Sequence, residues 1–440
     1  MGRWVGGAAI SKTMAYGLLL RVGISVVCRI NMAAAGCAIM RLARADGEPS
    51  PMSLPLPSYR VPVSSSVLRW ARETAGLSLE EASRRARVSA DRLLVWEGGT
   101  PEGAQLGLWA EEDVVESPTV AQLRVLAKRY RRPVSVFLLS EPPAERLSAT
   151  YARRLHGAEA DSGSPDLRFA VREACERREL ALSLVAQIGE QPREPKVVGV
   201  DPGDPERSGE AIREALAVGS QDIAKWARDG GTLRQWIDRI DATGVLINQF
   251  RGVGVGERRG FSIVETPLPL IAINQGDAGT ARVFTLLHEY AHVQLAVNGF
   301  GLSDESWCNA AAAAALMPAA GFKGAASSFE GDWPQRSAQL AEAFGVSREA
   351  AYRRLVTFGL ISQDDYRAAR SWLTHEPKPE GGAGGGPGYP GNRVREIGRG
   401  FIQIVGAAYD GNAISLHEAS RYLDVKAKDV DKLVSRAVGG

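Results

Sequence analysis

The chain has 440 residues, with 53 Lys and Arg against 51 Asp and Glu and a formal net charge of +2. Six of the bases (Arg3, Lys12, Arg21, Arg29, Arg41 and Arg44) fall in the first 45 residues, which hold no acid; elsewhere acids outnumber bases, so the body does not bind nucleic acid through charge alone. Cys28, Cys37, Cys175 and Cys308 form no CxxC pair, so they look like neither a thiolate metal site nor a disulfide framework, which fits a reducing cytoplasm.

Residues 1–60 are an apolar, basic leader outside any predicted domain. Its uncharged runs "TMAYGLLL", "VGISVVC" and "INMAAAGCAIM" are broken by Arg, and each falls short of the ~18 residues of a spanning helix. The segment reads as a weak targeting peptide, as disordered, or as an over-extended start with synthesis beginning at Met32, Met40 or Met52. No stable membrane association is expected, and the protein reads as cytoplasmic.

From Ser64 the pattern turns helical, and a five-helix module is expected over 64–143. Ser66 is a candidate cap for a first helix ending at Gly76, and Ser78 with Glu81 makes a capping box for the second. After a break at "RV", Ser89 opens a third helix, "SADRLLVWE". Pro118 sits near the first turn of "SPTVAQLRVLAKRY". Short helices with tight joints predict a helix-turn-helix. Arg84, Arg85 and Arg87 line its turn, and Ser89 and Arg92 begin its recognition helix, so these five are the candidate contacts to double-stranded DNA. Against that stand Glu80, Glu81, Asp91 and the acidic "EEDVVE", which favour a fold kept for protein–protein contact.

A second unit is expected over 150–330. It begins helical, then "GVLINQF", "GFSIVET" and "LPLIAINQ" predict two or three strands of a small sheet, rich in β-branched residues. "TARVFTLLHEYAHVQLAV" and "DESWCNAAAAAALMP" return to helix, the latter ended by Pro318. Residues 331–372 form a second helix-turn-helix-like stretch, expected to pack structurally on the unit before it. "EPKPEGGAGGGPGYPGN", 376–392, is a linker by composition, and 393–440 end in a helical module. The fold class is mainly α with a small mixed β-sheet, that is α+β.

"FTLLHEYAHVQL", 284–295, carries the chemistry. Residues i and i+4 of a helix lie on one face, so His288 and His292 can share one metal ion, while Glu289 beside them can take a proton from water. Two buried histidines satisfied by hydrogen bonds are the plainer alternative. Apolar Phe284, Leu287, Val293 and Leu295 bury this helix. A catalytic zinc needs a third protein ligand, and Glu305 supplies it if Ser303 or Asp304 caps the next helix and the alanine run packs that helix closely. Asp304 is the competing ligand, and Cys308 is a soft thiol one turn from Glu305.

"LIAINQ", "FTLLHEYAH" and "ESWCNAAAAAALMP", within about 245–370, resemble the ImmA/IrrE-type metallopeptidases. The resemblance implies a zincin-like core of gluzincin type holding one Zn2+ per chain through His288, His292 and Glu305, with Glu289 as catalytic base. Cys308 stands where alanine is usual and Ala311 where phenylalanine is usual; neither change removes a ligand. The module at 64–143 resembles the XRE-type helix-turn-helix that often precedes this domain. The usual role so implied is cleavage of a repressor or antitoxin-like protein. A non-proteolytic regulator with a sensing zinc domain is the alternative, and an intact Glu289 favours catalysis. "GFSIVET" is a candidate edge for an extended substrate. For the oxyanion, Tyr290 and the distant His417 are the residues to check.

Overall fold

The computed structural model describes residues 59–100, 117–143, 163–301, 304–373 and 389–439. The leader up to residue 58, the acidic "EEDVVE", Ser303 and linker residues 376–388 lie outside the described residues. Among those described, no helix is long and apolar enough to cross a membrane.

The first module contains α1 (Ser65–Thr74), α2 (Leu79–Ala86), α3 (Ala90–Trp96), α4 (Val120–Tyr130) and a 3-10 turn at Val134–Leu138. Four α-helices and this turn are the described elements where five helices were expected. Ser64, not Ser66, precedes α1, and its hydroxyl bonds that of Ser66 at 2.8 Å. The Ser78–Glu81 capping box forms as expected. For α4 the cap is Thr119, in a box with Gln122, and Pro118 stands outside the helix. Arg87 ends α2 in the left-handed conformation at φ 57°, which costs an L-residue about 1–2 kcal/mol. Leu68, Leu93, Leu126, Tyr130 and Phe137 build this module's core. Arg72 grips Glu97 there at 2.8–3.0 Å, tying α1 to the end of α3.

The sheet organises the rest. β1 (Leu246–Phe250), β2 (Gly260–Ile263) and β3 (Leu270–Asn274) run in the order β1-β3-β2, with β1 parallel and β2 antiparallel to β3. Before it come α5 (Pro165–Gln187), α6 (Pro205–Ala215), α7 (Ser220–Arg228) and α8 (Thr232–Asp241). After it come α9 (Gly279–Val297), α10 (Glu305–Leu316), α11 (Ala319–Ser328), α12 (Trp333–Phe344), α13 (Arg348–Thr357) and α14 (Gln363–Leu373). The chain closes with α15 (Tyr389–Ile397), α16 (Arg399–Asp410), α17 (Leu416–Tyr422) and α18 (Val430–Val438), so helix already begins inside the expected 376–392 linker.

Both faces of the sheet are covered. Ile271 and Ile273 of β3 point into a core with α9 and α10, whereas Leu270 and Ala272 point into a core with α5, α16 and α18. A strand buried on both sides reads as a continuous apolar run rather than an alternating one, which is how "LIAIN" reads. The helices α12 to α14 join the first core through Leu340, Leu355 and Ala369. Arg354 anchors them: it donates to the Met317 carbonyl at 3.0 Å and pairs with Glu206 of α6.

Helix α10 was expected to use its alanines against α9. It also meets α6, and there the backbones are closest. A Cβ on Gly209 would lie 2.3 Å from the Ala311 carbonyl oxygen and 2.5 Å from the Ala314 Cβ. In an open helix Gly→Ala gains about 0.5–1 kcal/mol; here the collision with backbone outweighs that gain. Gly209→Ala should therefore destabilise the chain, by about 1–3 kcal/mol as for other overpacked sites, measured by urea unfolding. An increase in stability would show that α6 and α10 are not in this contact.

Candidate metal centre

His288 and His292 sit one turn apart on α9, with their Nε2 atoms 3.1 Å apart and their rings edge-on at 81°. His292 has no exposed surface. The first residue of α10 faces them. Asp304 is the cap of α10: its Oδ1 accepts from the Trp307 N–H at 2.8 Å, which commits that carboxylate to the helix end. Glu305 follows, its Oε2 3.1 Å from His288 Nε2 and its Oε1 3.8 Å from His292 Nε2. The three donors lie within 4.8 Å of one another. Two imidazoles and one carboxylate are a donor set that fits zinc. The Glu305 side chain is 57% exposed, so the cluster is open to solvent on that side, as a catalytic site requires.

Glu289 is buried beside the cluster. Its Oε2 accepts a 2.8 Å hydrogen bond from the Ser262 hydroxyl of β2. The strand comes this close because residue 260 is glycine: a Cβ there would lie 2.5 Å from Thr285 Cγ2 and 3.4 Å from Glu289 Cγ. Burial pushes the Glu289 carboxyl up to about 8; the Ser262 bond and Arg258 pull it down, and Glu305 pushes it further up. A carboxyl poised near neutral pH is suited to accept and return a proton.

Cys308 does not join the donors. Its Sγ lies 3.1 Å from His292 Nδ1, the ring nitrogen that does not face Glu305. Burial raises its pKa and keeps it a thiol. When Nε2 of a histidine holds a metal, Nδ1 carries the proton and donates it to a neighbour, and the sulfur is placed to accept. Cys308→Ala should keep the fold but lower metal affinity by roughly 10–100-fold, the usual effect of losing such a partner. Competition with a metal-sensitive dye measures this; unchanged affinity would mean the sulfur does not orient the ring.

One open candidate, Tyr290, and one expectation, the β2 edge, fall away here. Tyr290 is fully buried, with its hydroxyl 3.4 Å from Thr243 Oγ1, so it points into the core and not at the cluster. β2 is an edge strand by pairing order, yet Phe261, Ser262 and Ile263 have no exposed surface, so that edge is not open to an extended peptide. His417 is exposed on α17 and is no part of the three-donor cluster. Ser262 and Arg258 were missed. A serine inside the fully buried strand "GFSI" was the signal for the first. The second sits in the loop that Asn274 orders by donating to the carbonyls of Val253 and Arg258.

In the first module Arg84, Arg85, Arg87, Ser89 and Arg92 are all exposed along α2, its turn and the start of α3. The Ser89 hydroxyl caps α3 by accepting from the Arg92 N–H, and the Arg92 guanidinium lies 5.9 Å over the Trp96 ring.

No curated protein and no solved structure matches the chain. Residues 243–356, from just before β1 to the last turn of α13, match the peptidase M78 family model, described as an IrrE N-terminal-like domain. That stretch, with the His288–His292–Glu305 cluster inside it, is thus similar to an ImmA/IrrE-type peptidase domain.

Proposed function

We propose that the chain is a zinc-dependent metallo-endopeptidase of gluzincin type, coupled to a helix-turn-helix and cleaving a repressor or antitoxin-like protein in the cytoplasm. The observation that carries this is the convergence of His288, His292 and Glu305 beside the buried Glu289 carboxyl, within the stretch similar to peptidases. His288, His292 and Glu305 would hold the zinc, which when bound supplies Lewis acidity toward water and a peptide carbonyl. Glu289 takes the proton of the attacking water and returns it to the leaving amine. Ser262 fixes the orientation of that carboxyl, and Cys308 that of His292. The test is incubation of the purified chain with the repressor or antitoxin encoded beside it, read by intact mass. A single new cut that disappears with a chelator is expected; no cut by zinc-loaded protein would remove the peptidase reading.

A second activity is favoured by the exposed arginines of the first module. Arg84, Arg85, Arg87 and Arg92 would contact double-stranded DNA, with Ser89 near the base edges. If these four each neutralise a phosphate, the log–log dependence of affinity on salt should have a slope of about −3 to −4. Should no duplex bind at low salt, the chain's own promoter included, the module is a protein-interaction domain.

A further inference from the structure

Helix α9 has a second end. Its N-terminus, about 14 Å along the axis from His288, opens into a cavity of about 850 Å3 between α8, β1, the α12–α13 joint and the α15–α16 joint. That is the size of a site for a small organic molecule, ~300–1,000 Å3. The wall is one-sided in charge: six arginines against two acids, Asp238 and Glu342. Asp238 is already shared by Arg399 at 3.3 Å and Arg234 at 3.6 Å. Arg282 donates to the neutral Gln249 Oε1 at 3.1 Å. Among the described residues neither Arg282 nor Arg395 makes an ion pair; burial and then the neighbouring Arg395 disfavour the charge on Arg282, and Asp277, already paired with Arg259 and the Ala278 N–H, offsets them only in part. An anion between the two would relieve both.

The helix end adds donors aimed at the same place. The cap position is Ala278, which offers no side-chain acceptor. The N–H groups of Gly279, Thr280 and Ala281 are therefore left without a cap, and all three residues line the cavity. Uncapped N–H groups at the positive end of a helix bind phosphate. Leu233, Ile237, Val346 and Val394 give the remaining wall an apolar part, beside the neutral Thr232, Gln249 and Ser347. We propose that this cavity binds a phosphate-bearing small molecule. Its phosphate lies on the α9 N-terminus between Arg282 and Arg395, and its organic part lies against the apolar wall.

Calorimetric titration of the full chain with inorganic pyrophosphate and with ADP tests this, alongside two variants. Arg395 is exposed, so Arg395→Gln should fold normally and weaken both ligands by about tenfold or more, the scale of one lost charge-assisted bond. Ala278→Asp places a carboxylate on the free N–H groups. It should raise the melting temperature yet abolish binding of both ligands, with zinc content unchanged. ADP should bind wild type at least about tenfold more tightly than pyrophosphate, because only ADP reaches the apolar wall. Absence of binding at millimolar ligand, or binding that neither variant changes, overturns the site. Equal affinity for the two ligands overturns the organic part of the proposal.

Discussion

His292→Ala should leave the purified chain without metal, where wild type should hold about one zinc per molecule. The effect is large because His292 is fully buried and is held from both sides, by the Glu305 carboxylate and by Cys308. Its removal deletes a ligand and leaves a gap where α9 and α10 meet. A site that binds the folded chain alone stabilises it by about 4 kcal/mol at a thousand times its dissociation constant, so melting temperature should fall together with metal content. Glu305→Ala separates the two effects: its side chain is more than half exposed, so it should weaken the metal with little packing loss. Elemental analysis that finds wild type as empty of metal as His292→Ala would end the metal reading.

Glu289→Gln should do the opposite. The amide oxygen can still accept the Ser262 hydroxyl, so the strand–helix contact at Gly260 survives. Glutamine cannot take a proton, and loss of general-base catalysis lowers rate by roughly 10²–10⁴-fold. Zinc content and melting should stay close to wild type while cleavage of the cognate repressor collapses. The comparison is made in cells producing each variant, with zinc measured in parallel. If Glu289→Gln gives the regulatory output of wild type, proteolysis is not the signal and the sensing role replaces it.

The sequence by itself determined whatever is set within a few residues. The i and i+4 spacing of His288 and His292 places both rings on one face because a helix repeats every 3.6 residues. The Ser78–Glu81 capping box is equally local. Asp304 resolved from the ligand-or-cap alternatives into the cap, which set Glu305 as the first helical residue. The three apolar runs formed the three strands of a mixed sheet. The first helix starts from Ser64 rather than Ser66, a residue of the same chemistry two positions away.

Only the tertiary structure decided which distant surfaces meet. Continuous apolar strands say that both faces are covered, not by what; α16 and α18, more than 120 residues after β3, supply the second face. Gly209 is an ordinary helical glycine until the alanines of α10 stand against it. Ser262 reaches Glu289 across 27 residues, and Cys308 turns to the Nδ1 of His292 instead of to the donor cluster. The cationic cavity at the start of α9 draws its arginines from separate helices, so no window of sequence contains it. Helix periodicity and capping are backbone geometry, repeated identically wherever the residues allow. Contacts between elements depend on how side-chain volumes fill shared space, and that is settled only when the whole chain has packed.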